Sequence, residues 1–367
     1  MTALAQCCGS EIDAAPVFFP IPVTRRLGTV APPYFLLRWR RFRVGAGRSG
    51  RRVFGRQCSG VGVRDGSCFA YHRGLAVHKI LIPTPLADNL PPPETPATAL
   101  SDHAVLSLEG PDAVAFAHAQ FSSEVASLAV GQWQWSAWLT PKGRVIALFA
   151  LARPGEQELL LVLPDYPAEV LAAALQRYVF RRKLKIAVRP DLAIQGVMAS
   201  PAQASGALLG KSGGALELDR TDAGGARHWR IGDGPVAGTA NIADWRRHDL
   251  RHGLPRLPES QREQWTPQQL SLDRLNAYSV KKGCYPGQEI VARTHFLGKA
   301  KRALVLFESD VPPDPGNAVT DGNRDIGEII CAQAGSPALA LGVMPLEREP
   351  ATLAASGVAL KEIPLLD

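Results

Sequence analysis

The chain has 367 residues, and its 41 Lys+Arg against 34 Asp+Glu give a formal charge of +7. An apolar share of 46% with 20% charged residues excludes wholesale disorder. No run approaches the roughly 18 consecutive apolar residues of a membrane span, and six cysteines in this length exclude a disulfide scaffold. At roughly 100–200 residues per domain, two or three domains are expected.

The excess charge sits at the front. Residues 1–78 hold twelve Arg, no Lys and three acids (Glu11, Asp13, Asp65), a net of +9, so residues 79–367 carry a net of −2. Cys7, Cys8, Cys58 and Cys68 also fall there, without metal-ligand spacing. No helical or strand period runs through this leader. Three readings are open: a transit peptide, which its four serines disfavour; a disordered nucleic-acid-binding arm; and upstream sequence ahead of the true start. Residues 79–98, with Pro91-Pro92-Pro93, form a Pro-rich linker.

Organised sequence begins near Ala99. Residues 111–126 predict a helix with Val114, Ala117, Phe121 and Val125 on one face. A hairpin follows: Trp133, Trp135, Ala137 and Leu139 alternate up to Pro141-Lys142-Gly143, and Val145, Ala147, Phe149 and Leu151 alternate back. Trp133, Trp135 and Trp138 read as sheet core. A strand at 158–163 and a helix at 167–180 on Val170, Leu171, Ala174, Leu175 and Tyr178 come next. Residues 191–235 give weak signals. Thr266-Pro267-Gln268-Gln269 has the form of a helix start, residues 301–309 alternate as a strand, and the Pro/Gly-punctuated tail suits a small β-barrel. The order of elements is α+β.

The segment Lys281-Lys282-Gly283-Cys284-Tyr285-Pro286-Gly287-Gln288-Glu289-Ile290-Val291-Ala292-Arg293 carries the chemistry. Gly283 and Gly287 free the backbone, Pro286 fixes a turn, and Gln288-Glu289 opens a helix. Cys284 lies before a helix N-terminus and two residues from an ammonium, the setting of a reactive thiolate. A small buried filler in a tight turn is the competing reading. Its one companion outside the leader is Cys331, so no four-cysteine cluster site exists. His295 reads as a packed or surface histidine, and no metal site is expected.

Lys282 to Glu289 resembles the K-G-C-Y-x-G-Q-E signature of the YgfZ family of folate-binding proteins, relatives of the aminomethyltransferase (T-protein) of glycine cleavage. Ile290 to Thr294, Lys301-Arg302, Gly253-Leu254-Pro255, Thr266-Pro267-Gln268, Pro141 to Val145 and Tyr178 to Lys183 extend the resemblance across residues 99–367. Two departures stand out. Ala119-Gln120-Phe121-Ser122-Ser123-Glu124-Val125 replaces the family's G-Q-x-T-N-D-V stretch. Val145-Ile146-Ala147-Leu148 stands where T-proteins carry paired aspartates, which disfavours aminomethyl transfer.

The resemblance implies a three-domain, ring-like aminomethyltransferase-type fold, with a folate-binding region of two intertwined subdomains over 99–298 and a C-terminal barrel over 299–367. It implies tetrahydrofolate or a derivative as cofactor, and a role in assembly or repair of iron–sulfur enzymes, including tRNA methylthiolation. Cys284 is the expected functional thiolate. Lys282, Gly283, Tyr285, Gly287, Gln288, Glu289 and Arg293, with Lys142 and Arg144 on the hairpin turn, are the expected folate contacts. The glutamyl tail is anionic and suits the four cations. Iron–sulfur clients or assembly proteins are the expected partners, with no direct nucleic acid and no membrane, for a cytoplasmic monomer. The alternative is a folate-dependent one-carbon transferase or demethylase.

Overall fold

The computed structural model describes residues 61–64, 67–70, 97–233, 241–298 and 300–366. The leader and the Pro-rich linker therefore lie almost wholly outside the described residues. The chain divides into two units, Met1–Asp88 and Asn89–Asp367. In the first, β1 (Val61–Arg64) and β2 (Ser67–Ala70) pair antiparallel with Val61 opposite Ala70. No strand is expected there from sequence, because four residues are too few for periodicity to register.

Among its described residues the second unit contains three sheets. The linker ends earlier than expected: Ala97 and Thr98 belong to β3 (Ala97–Ala99). The next elements are β4 (Ala104–Glu109), α1 (Ala113–Gln120), β5 (Gln132–Leu139), β6 (Val145–Gly155), β7 (Glu158–Leu163), α2 (Ala168–Gln176) and β8 (Lys185–Val188). They build an antiparallel sheet ordered β5-β6-β7-β4-β8. Helices α1 and α2 cover one face of it, with Phe116, Phe121, Phe149, Leu171 and Leu175 in the contact. Each such side chain, fully withdrawn from water, contributes about 1.5–3 kcal/mol. The other face packs Trp133, Trp135, Leu148 and Val162 into a second, larger core. With both faces buried, β6 is buried without interruption from Val145 to Ala152, which explains its nearly continuous apolar sequence.

That larger core also takes Leu218, Trp229 and Ile231 of the second sheet. This sheet runs β10-β11-β12-β9-β3, with β9 (Leu192–Val197), β10 (Gly210–Ser212), β11 (Ala215–Asp219) and β12 (His228–Asp233). Helix α3 (Ile242–Arg251) adds Trp245 and Leu250. The tail closes as a six-stranded barrel ordered β13-β16-β15-β14-β17-β18, as its punctuation predicts. Its strands are β13 (Arg302–Ser309), β14 (Ala318–Thr320), β15 (Asp325–Gln333), β16 (Ala338–Pro345), β17 (Leu353–Ala355) and β18 (Val358–Ile363). No helix among the described residues is long and apolar enough to cross a membrane.

Three expectations change. The helix expected over 111–126 stops at Gln120, and Phe121 turns extended to bridge Trp138. The helix expected over 167–180 stops at Gln176, leaving Val170 and Tyr178 of its predicted face about half exposed. Thr266 and Gln269 do exchange capping bonds, the Gln269 Oε1 accepting from the Thr266 backbone N–H and the Thr266 Oγ1 from that of Gln269. The chain then leaves helical geometry at Ser271, φ 50°, and continues as turns.

Candidate functional site

Lys282 explains why α1 is short. Its side chain is buried, and its Nζ donates to the carbonyls of His118, Phe121 and Ser123 at 2.5–2.9 Å. A helix end leaves carbonyls without partners; here an ammonium from about 160 residues downstream supplies them. The charge also sits 4.7 Å from the centre of the Tyr285 ring. Burial pushes the Lys282 amine down to about 8, opposed by Glu124. All three of its hydrogens are engaged, so none remains for the Cys284 sulfur or for a ligand carboxylate. That revises the role expected for Lys282, from ligand cation to internal clamp.

The rest of the motif divides into buried scaffold and exposed loop. Tyr285 is buried, and its hydroxyl donates to the Ser279 carbonyl at 2.9 Å; burial raises its pKa, with Tyr278 adding to the effect. Gln288 Nε2 donates to the Lys282 carbonyl at 2.9 Å, closing the loop on itself. Gly287 caps α4 (Gln288–Phe296) at φ 79°. A Cβ there would lie 2.6 Å from both Gly143 Cα and the Thr140 carbonyl oxygen, so only glycine admits this contact. Gly283, by contrast, has open space around it and no left-handed φ. Gly283, Cys284, Glu289 and Arg293 are exposed, and Cys284 is a free thiol. The exposure settles one alternative: Cys284 is not a buried filler.

The hairpin turn reaches the same place. Gly143 packs beneath α4, where an added Cβ would meet Ile290 Cβ at 2.9 Å. Lys142 is exposed. Arg144 instead donates from Nη1 to the Gln264 carbonyl at 2.6 Å and to Gln269 Oε1 at 3.3 Å. It fastens the hairpin to the Thr266–Gln269 turn, whose Gln268 Nε2 in turn donates to the Val291 carbonyl at 2.9 Å.

A cavity of about 350 Å³ opens in this unit, walled by Trp133, Trp135, Arg220, Arg227, His252 and Arg274. The Arg220 guanidinium lies between two indoles, 4.6 Å from the Trp135 ring and 4.2 Å from the Trp229 ring. Its Nη2 meets Asp249 at 3.5 Å, while its buried Nη1 has no partner. Burial, then Arg227, lowers its pKa to about 9. Arg227 pairs with both Asp222 and Asp249 at 2.8 Å. Burial would raise the Asp249 carboxyl, but Arg227, Arg220 and Arg256 hold it down at about 2. The arrangement sets the mostly buried indoles of Trp133 and Trp135 beside a guanidinium fixed by stacking and one carboxylate, with one buried nitrogen short of an acceptor. It suits a planar ligand with acceptor atoms and an anionic end.

The sequence pattern assigns Trp133 and Trp135 to the core and does not single out Arg220. Both tryptophans are mostly buried, and they also face the cavity. A signal for Arg220 exists: Leu216 and Leu218 alternate onto the core face, and the same period carries a charge onto it at 220.

The architecture is that of the aminomethyltransferases. The glycine cleavage system aminomethyltransferase T from Bartonella henselae matches over 73% of this chain and 84% of its own, with a TM-score of 0.58 at 15% identity. No family model matches the chain. A Haemophilus influenzae protein described as uncharacterised is 31% identical over 214 residues, 57% of this chain and 72% of that protein. The tRNA-modifying protein YgfZ of Vibrio vulnificus strain YJ016 is 28% identical over 254 residues, 64% of this chain and 77% of that protein. Its counterpart in Yersinia pseudotuberculosis is 27% identical over 251 residues, 63% and 76% of the two chains. The chain belongs to the YgfZ family.

Proposed function

We propose that this chain is a tetrahydrofolate-binding accessory protein that supports the assembly or repair of iron–sulfur enzymes, including those that modify tRNA, in the cytoplasm. The observation that carries the folate reading is the cavity holding Arg220 between Trp135 and Trp229 with one guanidinium nitrogen unpartnered. A pterin needs a flat apolar wall and a few fixed polar groups, and its glutamyl tail needs cations. Trp133, Trp135 and Arg220 suit the ring. Lys142, Lys281 and Arg293 of the motif region are exposed and could meet carboxylates, although none of them lines the cavity. The three-domain ring expected from the resemblance belongs to this reading. The relatives' description as tRNA-modifying supports the choice of client, and the exposed Cys284 thiol is the group that would act on it. When bound, reduced folate would supply one-carbon or reducing chemistry. The chain's part is to hold the ring, orient it and present the thiol.

Titrating the full chain with tetrahydrofolate while following tryptophan fluorescence tests the reading. Saturable quenching is expected, with affinity about tenfold weaker in Arg220→Met, the loss of one charge-assisted hydrogen bond of ~1.5 kcal/mol. Absence of saturation would reject a folate ligand. The one-carbon transferase reading predicts formaldehyde or methylene-tetrahydrofolate from an N-methyl donor. Val145 to Leu148, buried and without a carboxylate, oppose it.

A further inference from the structure

The segment after α2 departs from the nearly neutral balance of residues 79–367. Between Glu169 and Asp191 there is no acid, while Arg177, Arg181, Arg182, Lys183 and Lys185 follow one another closely. All five are exposed, and among the described residues none of their side chains forms an ion pair with a carboxylate. Two aromatic side chains stand among them: Tyr178 is 51% exposed and Phe180 76%. One exposed ring alone is ordinary; two exposed rings set among five exposed cations make a patch of the kind that marks an interaction surface.

This is a built surface. Arg181 takes the left-handed region at φ 57°, uncommon outside glycine, and its guanidinium carbon lies 4.9 Å from the Phe180 ring centre. The backbone beneath is pinned. The Lys183 N–H donates to Asp112 Oδ2 at 2.6 Å, the Arg182 N–H to the Val179 carbonyl at 2.8 Å, and Gly110 is packed against the Lys183 carbonyl. Rings and cations are thus presented together on a fixed turn.

We propose that this turn binds an unpaired segment of single-stranded nucleic acid, with bases stacking on Phe180 and Tyr178 and the phosphates meeting the surrounding cations. Interleaved exposed rings and cations fit unstacked bases on a phosphodiester chain. A duplex hides its base faces, whereas a run of five cations with no acid among them matches the evenly repeated charge of a phosphodiester chain. A membrane surface would require an apolar helix face beside the cations, and the apolar face of α2, Leu171 and Leu175, is consumed in the core. The inference is independent of the folate site. It departs from the expectation of no direct nucleic-acid contact, which follows once the basic leader, the one sequence feature favouring a nucleic acid, is set aside.

The experiment is fluorescence anisotropy of the full chain with labelled twelve-nucleotide oligouridylate and oligothymidylate and with a duplex of equal length, over a salt series. The leader's arginines are present in every variant, so differences report the turn. Phe180→Ala should weaken single-strand binding at least ~5-fold, the effect of unstacking one base, and Phe180→Trp should retain it. The double variant Arg182→Gln with Lys183→Gln should reduce the slope of log affinity against log salt by ~1.4, about 0.7 for each phosphate no longer neutralised. Both rings and both cations are exposed, so circular dichroism should match wild type. Unchanged affinity and slope in these variants would overturn the proposal. So would Phe180-dependent capture by phosphatidylserine vesicles with unaltered oligonucleotide binding.

Discussion

A Cβ on Gly287 would stand 2.6 Å from the Cα of Gly143, so the β5–β6 turn and the cap of α4 meet backbone to backbone. Two stretches far apart in sequence are thereby held in one place, and each glycine is required by the other. Gly287→Ala combines a left-handed φ of 79° with that overlap. It should cost ~2–4 kcal/mol in urea unfolding and several degrees of Tm. Gly283→Ala, with open space and no positive φ, should stay within ~0.5 kcal/mol. Equal effects from the two substitutions would refute this division of the motif.

Lys282→Met tests the clamp. The substitution keeps the buried stem and removes the donor from the His118, Phe121 and Ser123 carbonyls. Leaving such groups short of partners costs ~1–3 kcal/mol each at most, so a loss of about 3 kcal/mol or more is expected. Denaturant midpoints measure it. A surface cation would show almost no change on the same substitution.

What is legible in the sequence is what repeats locally. The Trp133–Leu139 and Val145–Leu151 alternation, the Pro141–Gly143 turn and the Gln288 helix start each declare themselves within a few residues, and each stands where the pattern predicts it. Helix α3 does not declare itself because its buried set is Trp245, Asp249 and Leu250, and the buried aspartate breaks the apolar period. The short α1 is illegible for another reason: the residue that ends it, Lys282, is remote in sequence. The cavity shares that reason, since Trp133, Arg220, His252 and Leu366 converge on it only through the tertiary fold.

His103 predicts an acid-labile fold. Its side chain has no exposure, its Nδ1 lies 2.7 Å from Asp102 Oδ1 and its Nε2 has no partner. Burial pushes its pKa down to about 4 from the ordinary 6.5, against the pull of Asp102. Between those values the unfolded chain takes up a proton that the folded chain refuses. Stability from this group is therefore complete above pH 6.5 and lost as pH falls toward 4, by up to ~3 kcal/mol. His103→Phe keeps a ring against Trp229, whose centroid is 5.6 Å away, and cannot titrate. Urea midpoints of wild type and variant at about pH 7 and about pH 4.5, either side of the ordinary histidine value, should show a shallower fall in the variant. Parallel falls would assign the acid sensitivity elsewhere.

Cys284 is exposed on a loop whose scaffold residues, Lys282, Tyr285, Gly287 and Gln288, are each fixed by a contact that does not involve the sulfur. Removing the sulfur therefore leaves the fold intact. Cys284→Ser should unfold within ~0.5 kcal/mol of wild type, as surface substitutions do, and should bind tetrahydrofolate with unchanged affinity in the fluorescence titration. Cells carrying it should nonetheless lose support of iron–sulfur enzymes, read as the activity of a cluster-dependent enzyme and the methylthiolation of tRNA. Full support would remove the thiol from the mechanism while leaving the folate site standing. A fall in folate affinity together with a fall in support would place the sulfur against the ligand instead of the client.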